Sequence, residues 1–400
     1  MKPQEWGEFV IDELCETIID CVNKTAPVVD FPTPYKMIRT TNVRDGWISL
    51  NSVKYVDHAT YLLWTRRQTP KKGDVILTRE APLGEVGMLR SDDQVFLGQR
   101  LVSYRVNPKK LDNHFLLYAF QGDCLRAQIK ALGSGSTVEH MRVPDAKNLK
   151  IFLPPLASQK KIGAILAAYD DLIENNTRRI EILEEMARRL YEEWFVQFRF
   201  PGHEGVEFKE SELGLIPEGW SVAAVTDVFT IKYGKTFPKT KLNPEGQYPV
   251  FGGGGMIGRC DQFNIQGPTT LITSRGNGSG TVWRASEAGL VTNNAFIVMP
   301  KEPKLNVHYG YIERALLNAP IKSFLGGSAQ PQLTLDGLAG VRVLTPDPEV
   351  IQQFSALVDP FYALISRVER ASANLRAQRD LLLPKLISGE IDVSDIPMPT

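Results

Sequence analysis

Cysteine is scarce and scattered. Cys15, Cys21, Cys124 and Cys260 are the only four, with no CxxC pair among them. Neither a disulfide framework nor a zinc site is indicated, and the usage suits a reducing cytoplasm. No apolar run approaches the roughly 18 residues of a membrane helix, which excludes that kind of span. Met1 to Val10 carries acids and a Trp, where a secretory leader would have a basic stretch followed by an apolar one. Net charge is missing too: 46 Lys and Arg balance 46 Asp and Glu, so the surface is not basic throughout. No glycine-rich loop ends in Gly-Lys-Ser/Thr, so ATP or GTP hydrolysis by this chain is not expected. The histidines His58, His114, His140, His203 and His308 show no i,i+4 pair and no acids at metal-ligand spacing, so no metal is expected. What remains is a chain of 400 residues, 43% apolar and 23% charged, long enough for two or three globular domains.

The strongest positive signal is an internal repeat. Residues 141–190 lie over 333–382, with Met141, Val143, Leu149, Ile151 and Pro154 meeting Leu333, Leu335, Val341, Val343 and Pro346. Upstream the offset drifts, and Val75–Arg79 aligns with Leu271–Arg275, Gly84 with Gly280 and Val86 with Val282. Each copy ends in a helical stretch. From Ser158 to about Phe198 the seam residues are Leu166, Tyr169, Ile173, Asn176, Ile180, Leu183, Ala187, Leu190 and Trp194, spaced by three and four as in a coiled coil. Asn176 is the polar seam residue that would fix register. Forty residues at about 1.5 Å each make a rod of about 60 Å, a spacer in length. The second seam runs Val358, Phe361, Ile365, Val368, Ser372, Leu375, Arg379, Leu382, Leu386. Here Ser372 and Arg379 weaken the seam, and Pro360 is expected to break or kink the helix, starting the rod near Phe361 and ending it before Gly389. Two such rods most simply pack on each other.

The segments outside the rods read as mixed α/β, with strands at Val75–Thr78, Leu101–Val106, Leu149–Leu153, Thr270–Thr273, Ala295–Met299 and Val341–Leu344. Helical patterns follow at Asp112–Leu132 and Val307–Leu325. The predicted organisation is a first domain (1–155), a helical spacer (156–200), a linker (201–213), a second domain (214–347), a second spacer (348–390) and a tail (391–400). The fold class is α+β: duplicated domains separated by two long helices packed as an antiparallel coiled coil.

Enzyme signatures fail one by one. Gly252–Gly255 lacks the following helix of a dinucleotide loop, and Gly133-Ser134-Gly135-Ser136 lacks the last Gly of a nucleophile elbow. Asp359-Pro360-Phe361 sits in the start of a rod and lacks the second Pro of an amino-methyltransferase loop. Polar residues instead recur at equivalent places: Thr78-Arg79 and Ser274-Arg275-Gly276-Asn277 at strand ends, Gln99-Arg100 and Asn293-Asn294, and Ser134, Ser136, Thr137 against Ser328 and Gln330 after helices. Arg reaches guanine and phosphate, Asn and Gln reach adenine, and Ser or Gly amides reach phosphate oxygens. Turn chemistry alone explains any single member; recurrence at duplicated positions makes the set a candidate DNA-contact surface.

The run Pro154–Ile162, the rod after it and Trp194–His203 resemble the first conserved region of Type I restriction–modification specificity subunits. Gly73–Arg79, Pro217–Trp220 and Tyr248–Gly253 are similar to parts of that family's target recognition domains, and Leu381–Ile391 to the end of its second conserved region. The resemblance implies a non-catalytic adaptor whose two recognition domains each read half of a split double-stranded DNA sequence. It implies docking of two methyltransferase subunits, which use S-adenosylmethionine on adenine N6, and of motor–nuclease subunits, which use ATP and Mg, so that this chain itself needs no cofactor. A stand-alone methyltransferase or nuclease, and a duplicated module on a scaffold for a non-DNA partner, are the alternatives. The zero total does not argue against the first reading: residues 1–150 hold 21 basic and 18 acidic groups, and residues 214–347 hold 12 and 9. The neutral total is two slightly basic readers and an acidic frame.

Overall fold

Three sheets recur in both halves of the chain in one common order, and the runs predicted as strands fall in two of them. The computed structural model describes residues 6–133, 139–301, 309–327 and 331–397. They belong to two units: Met1–Glu174 with Ser372–Thr400, and Asn175–Ala371. In unit 1 an antiparallel sheet contains β1 (Cys15–Asp20), β2 (Val75–Arg79), β3 (Leu83–Met88) and β4 (Leu101–Val106), in the order β1-β4-β2-β3. In unit 2, β5 (Phe229–Tyr233), β6 (Thr269–Thr273), β7 (Val282–Ala285) and β8 (Ala295–Pro300) repeat it as β5-β8-β6-β7. The inner strands β2 and β6 are buried on both faces, which explains their unbroken apolar and threonine sequences.

A three-stranded sheet accompanies each: Lys36–Ile38 lies between Lys54–Tyr55, antiparallel, and Val95–Leu97, parallel. Tyr248–Phe251 lies likewise between Met256–Cys260 and Leu290–Val291. Two-stranded ribbons complete the duplication, Gly7–Val10 with Lys150–Leu153 and Ser221–Ala224 with Arg342–Thr345.

The ladders correct the sequence alignment by one residue. Thr78 pairs with Leu101 and Val75 with Tyr104, while Thr273 pairs with Ala295 and Thr270 with Val298. Thr78 therefore corresponds to Thr273, and Arg79 to Ser274 rather than to Arg275. A slip of one residue in a strand exchanges its two faces, so the difference decides which side chains are equivalent. It arose because the connection from β6 to β7 in unit 2, where Ile272 pairs with Val282, is one residue longer than that from β2 to β3 in unit 1, where Leu77 pairs with Val86.

The long helices are α1 (Leu156–Tyr191) and α2 (Pro348–Ser388). The last turn of the first rod, Glu192–Val196, widens to π geometry. Pro360 does not break α2, which runs through it. The site is on the solvent side, with Ala356 and Pro360 both exposed, so the carbonyl deprived of its N–H partner faces water. On the seams, Leu166, Ile173, Ile365 and Val368 are buried, while Tyr169, Asn176, Ile180, Leu183, Leu190, Leu375 and Leu382 are half-buried.

In unit 1 the α1 residues before Glu174 pack beside the α2 residues after Ser372. Asp170, 1% exposed, accepts from Arg379 Nη1 at 2.6 Å and from the Tyr118 hydroxyl at 2.7 Å, with Arg90 3.9 Å away. Burial against Asp170 drives the Tyr118 hydroxyl well above its ordinary pKa. Lys161 Nζ donates to the carbonyls of Val393 and Ser394. Gly163 lets α1 approach the helix Asn113–Gln121: a Cβ there would sit 2.6 Å from Asp112 Oδ1 and 3.1 Å from Phe115 N. In unit 2, Tyr191, Trp194 and Phe195 close around Phe354 of α2, the Phe195 and Phe354 rings meeting edge-on at 5.0 Å. Arg284 bridges Glu313 and Glu369 there and lies over the Tyr362 ring.

Candidate nucleic-acid interface

The central sheet of each unit ends in a cluster of loops, and the predicted polar residues divide there into struts and presented groups. Thr78 is fully buried; its hydroxyl donates to Pro82 O at 2.6 Å and accepts from Glu85 N at 2.9 Å. Arg79 is buried as well, and its Nη1 donates to Met141 O at 3.1 Å. Ser274 is fully buried, its hydroxyl donating to Asn293 O at 3.2 Å. These three side chains face inward and tie loops together, so they are not surface donors. The pattern that marked them, a polar residue ending an apolar strand, does not distinguish a strut from a presented group.

Gln99 and Arg100 are exposed, Arg100 with a left-handed backbone at φ 71°. The Arg100 guanidinium lies 3.2 Å from the Glu80 carboxylate, whose other oxygen is 3.3 Å from His140 Nδ1. In unit 2, Arg275, Asn277 and Asn294 are exposed and Asn293 is half-buried. Ser134, Ser136, Thr137, Ser328 and Gln330 lie outside the described residues.

The glycine run adds a third loop to the unit 2 rim. Gly252–Gly255 joins the antiparallel strands Tyr248–Phe251 and Met256–Cys260, a hairpin rather than the strand-to-helix turn of a phosphate-binding loop. Thr273 Oγ1 donates to Gly253 O. A Cβ on Gly253 would lie 3.4 Å from Asn294 O and 3.5 Å from Arg275 O, which places the three loops side by side. Lys235, exposed, joins the rim through its carbonyl, which accepts from Asn293 N at 3.0 Å. Gly234 makes this approach possible, since a Cβ there would fall 2.2 Å from Thr292 O. The rim thus offers an Arg, a Lys and several amides on short, cross-braced loops. Such a set suits phosphates and base edges better than a reacting bond. Among the described residues no group of three or more His, Cys, Asp or Glu is placed to hold a metal ion.

Comparison with known proteins gives one consistent result. The family model "Type I restriction modification DNA specificity domain" matches residues 3–185 and 217–374, one match per copy of the repeat. The chain is 26% identical over 346 residues to the Type I restriction enzyme MjaIX specificity subunit of Methanocaldococcus jannaschii, covering 81% of this chain and 79% of the relative. It is 25% identical over 313 residues to a putative type I specificity subunit of Mycoplasma genitalium, covering 76% and 78%. The crystal structure of a Type I restriction–modification S subunit from M. genitalium shares its fold, with a TM-score of 0.61 over 95% of this chain and 96% of that one at 19% identity. With both copies of the repeat matched by the family model, the chain belongs to the Type I restriction–modification specificity subunits, a non-catalytic family.

Proposed function

We propose that this chain reads a two-part double-stranded DNA sequence for a Type I restriction–modification complex, one half of the target by each unit. The observation that carries the reading is the duplicated rim: two sheets of one topology, each ending in braced loops that present a different set of polar side chains. A split site with an unread gap is the natural target of two such readers. The gap is set by α1 and α2, packed as an antiparallel coiled coil. Supporting this, residue 170 meets residue 379 within unit 1, and residue 195 meets residue 354 within unit 2, an opposed order along the two helices. Rods of about 60 Å exceed the roughly 34–36 Å of one DNA turn that separates two successive major-groove faces.

Chemistry belongs to the partners in this reading. Two methyltransferase subunits dock on the chain and methylate adenine N6 with S-adenosylmethionine, and motor–nuclease subunits use ATP and Mg. The target adenine must leave the stack to be methylated, so the bound DNA is distorted. The complex works in the cytoplasm, consistent with four unpaired cysteines and the absence, among the described residues, of a helix long and apolar enough to cross a membrane. The test is to assemble the full chain with its methyltransferase partner and map methylated adenines on genomic DNA. A single two-part sequence with constant spacing is expected. Methylation within one continuous sequence, or without sequence preference, overturns the reading.

A further inference from the structure

The duplicated framework fixes a correspondence that neither half reveals alone. Arg79 N donates to Arg100 O at 2.8 Å, and Arg79 O accepts from Met141 N at 3.0 Å. At the same places in unit 2, Ser274 N donates to Asn294 O at 2.9 Å, and Ser274 O accepts from Leu333 N at 2.9 Å. One residue beyond each junction the backbone makes an antiparallel bridge, Glu80 with His140 and Arg275 with Gln332. Three positions are therefore shared: Glu80 with Arg275, Arg100 with Asn294, and His140 with Gln332. Met141 and Leu333, the next residues, are fully buried core. The six side chains stand at the outer edge of that core, on backbone clamped from two sides.

The frame is common and the chemistry is exchanged. Unit 1 presents a carboxylate braced by Arg100 and His140, whereas unit 2 presents an arginine beside two amides. A carboxylate has about four lone-pair positions, and these two contacts leave part of that capacity for another donor. Half of the Arg100 side chain is exposed, so its remaining N–H groups stay available. In unit 2 the neighbouring loop carries Gly254, around which a Cβ would find open space, leaving room beside Arg275 for a bulky ligand.

We propose that Glu80, Arg100 and His140 in unit 1, and Arg275, Asn294 and Gln332 in unit 2, are the positions that determine which bases each unit reads. The proposal rests on the reading of the chain as a two-part DNA reader. Glu80 accepts from a base amino group, cytosine N4 being the usual match for a carboxylate, with Arg100 and His140 holding it in place. Arg275 forks onto guanine O6 and N7, and Asn294 and Gln332 match adenine N6 and N7. Thr78, Arg79 and Ser274 read nothing; they hold the frame.

The experiment uses the full chain assembled with its methyltransferase partner, comparing wild type with Glu80→Gln, Arg275→Ala and Arg275→Lys. Methylation is mapped on genomic DNA, and melting of each variant is recorded. Arg275→Ala is expected to relax base preference about 10- to 100-fold at one position of one half-site, leaving the other half and the spacing unchanged. Arg275→Lys keeps a cation but loses the fork, and is expected to relax the same position. Glu80→Gln is expected to change the opposite half. Unchanged preference in both halves for all three variants, with wild-type melting, overturns the proposal while leaving the two-part reading intact. A uniform loss at every site overturns it as well, since that is the signature of a phosphate contact or a weakened fold. If the wild-type complex marks no two-part sequence, the functional reading fails first and separately.

Discussion

Replacing Arg379 by Leu tests whether the rods are held in register by a buried charge. Asp170 is 1% exposed and takes its short contacts from Arg379 at 2.6 Å and Tyr118 at 2.7 Å, with Arg90 farther off at 3.9 Å. Removing one partner of a buried pair costs about 3–5 kcal/mol, because the remaining charge keeps its desolvation penalty and loses its compensation. Tyr118 and Arg90 still serve Asp170 in the variant, so the lower end, about 3 kcal/mol, is expected. For a unit of about 200 residues that corresponds to a fall in melting temperature of roughly 6–12 °C. Urea and thermal unfolding followed by circular dichroism measure it. The double variant Asp170→Leu/Arg379→Leu removes both charges and supplies apolar seam residues, and is expected to recover about half of the loss. Arg379→Leu within about 1 kcal/mol of wild type, or a double variant at the sum of the two singles, would falsify the idea of a charge lock.

Three further outcomes follow from local geometry. Thr78→Val leaves the partly buried amide of Glu85 without its acceptor, and thermal unfolding should show a loss of about 1 kcal/mol in unit 1. Pro360→Ala restores an intrahelical hydrogen bond and is expected to stabilise α2 by up to about 3 kcal/mol; an unchanged melting temperature would mean that the proline is already fully accommodated. Burial raises the Glu313 carboxyl above its ordinary value, against the pull of Arg284 and Arg314. The folded state then holds this proton more tightly than the unfolded chain, so the contribution is fully present below the ordinary carboxylate range and is lost as pH rises through the raised value. Glu313→Gln should flatten that fall in stability, and parallel urea titrations of variant and wild type across the interval measure it.

Much of this architecture is written in periodicities. The proline-free stretch from Ser158 to about Phe198, with its three-and-four seam, gave the first rod nearly to its ends, and the pairing of Val143 with Leu335 holds in helices at the same place in both units. What periodicity could not supply was contact across long separations. Asp170 lies between seam residues and looks like one more solvated acid; only its burial against Tyr118 and Arg379 makes it a lock. Arg379 looked like a defect in the seam for the same reason. Glu80, His140 and Gln332 were missed because bridges 60 and 57 residues long bring them to the rims. Arg79 was paired with Arg275 because identity outweighed register, and the ladder shows that register decides.

Unit 1 is made of two distant pieces of chain, and this has a consequence in time. Its core includes Leu383, Leu386 and Val393, which reach it only through the last stretch of sequence, whereas unit 2 is continuous from Asn175 to Ala371. During synthesis the second unit therefore has all of its parts before the first, and the first must wait, with part of its apolar surface uncovered, until the ribosome has released residues near Val393. A chain ending at Ala371 would hold every part of its later unit but not of its earlier one.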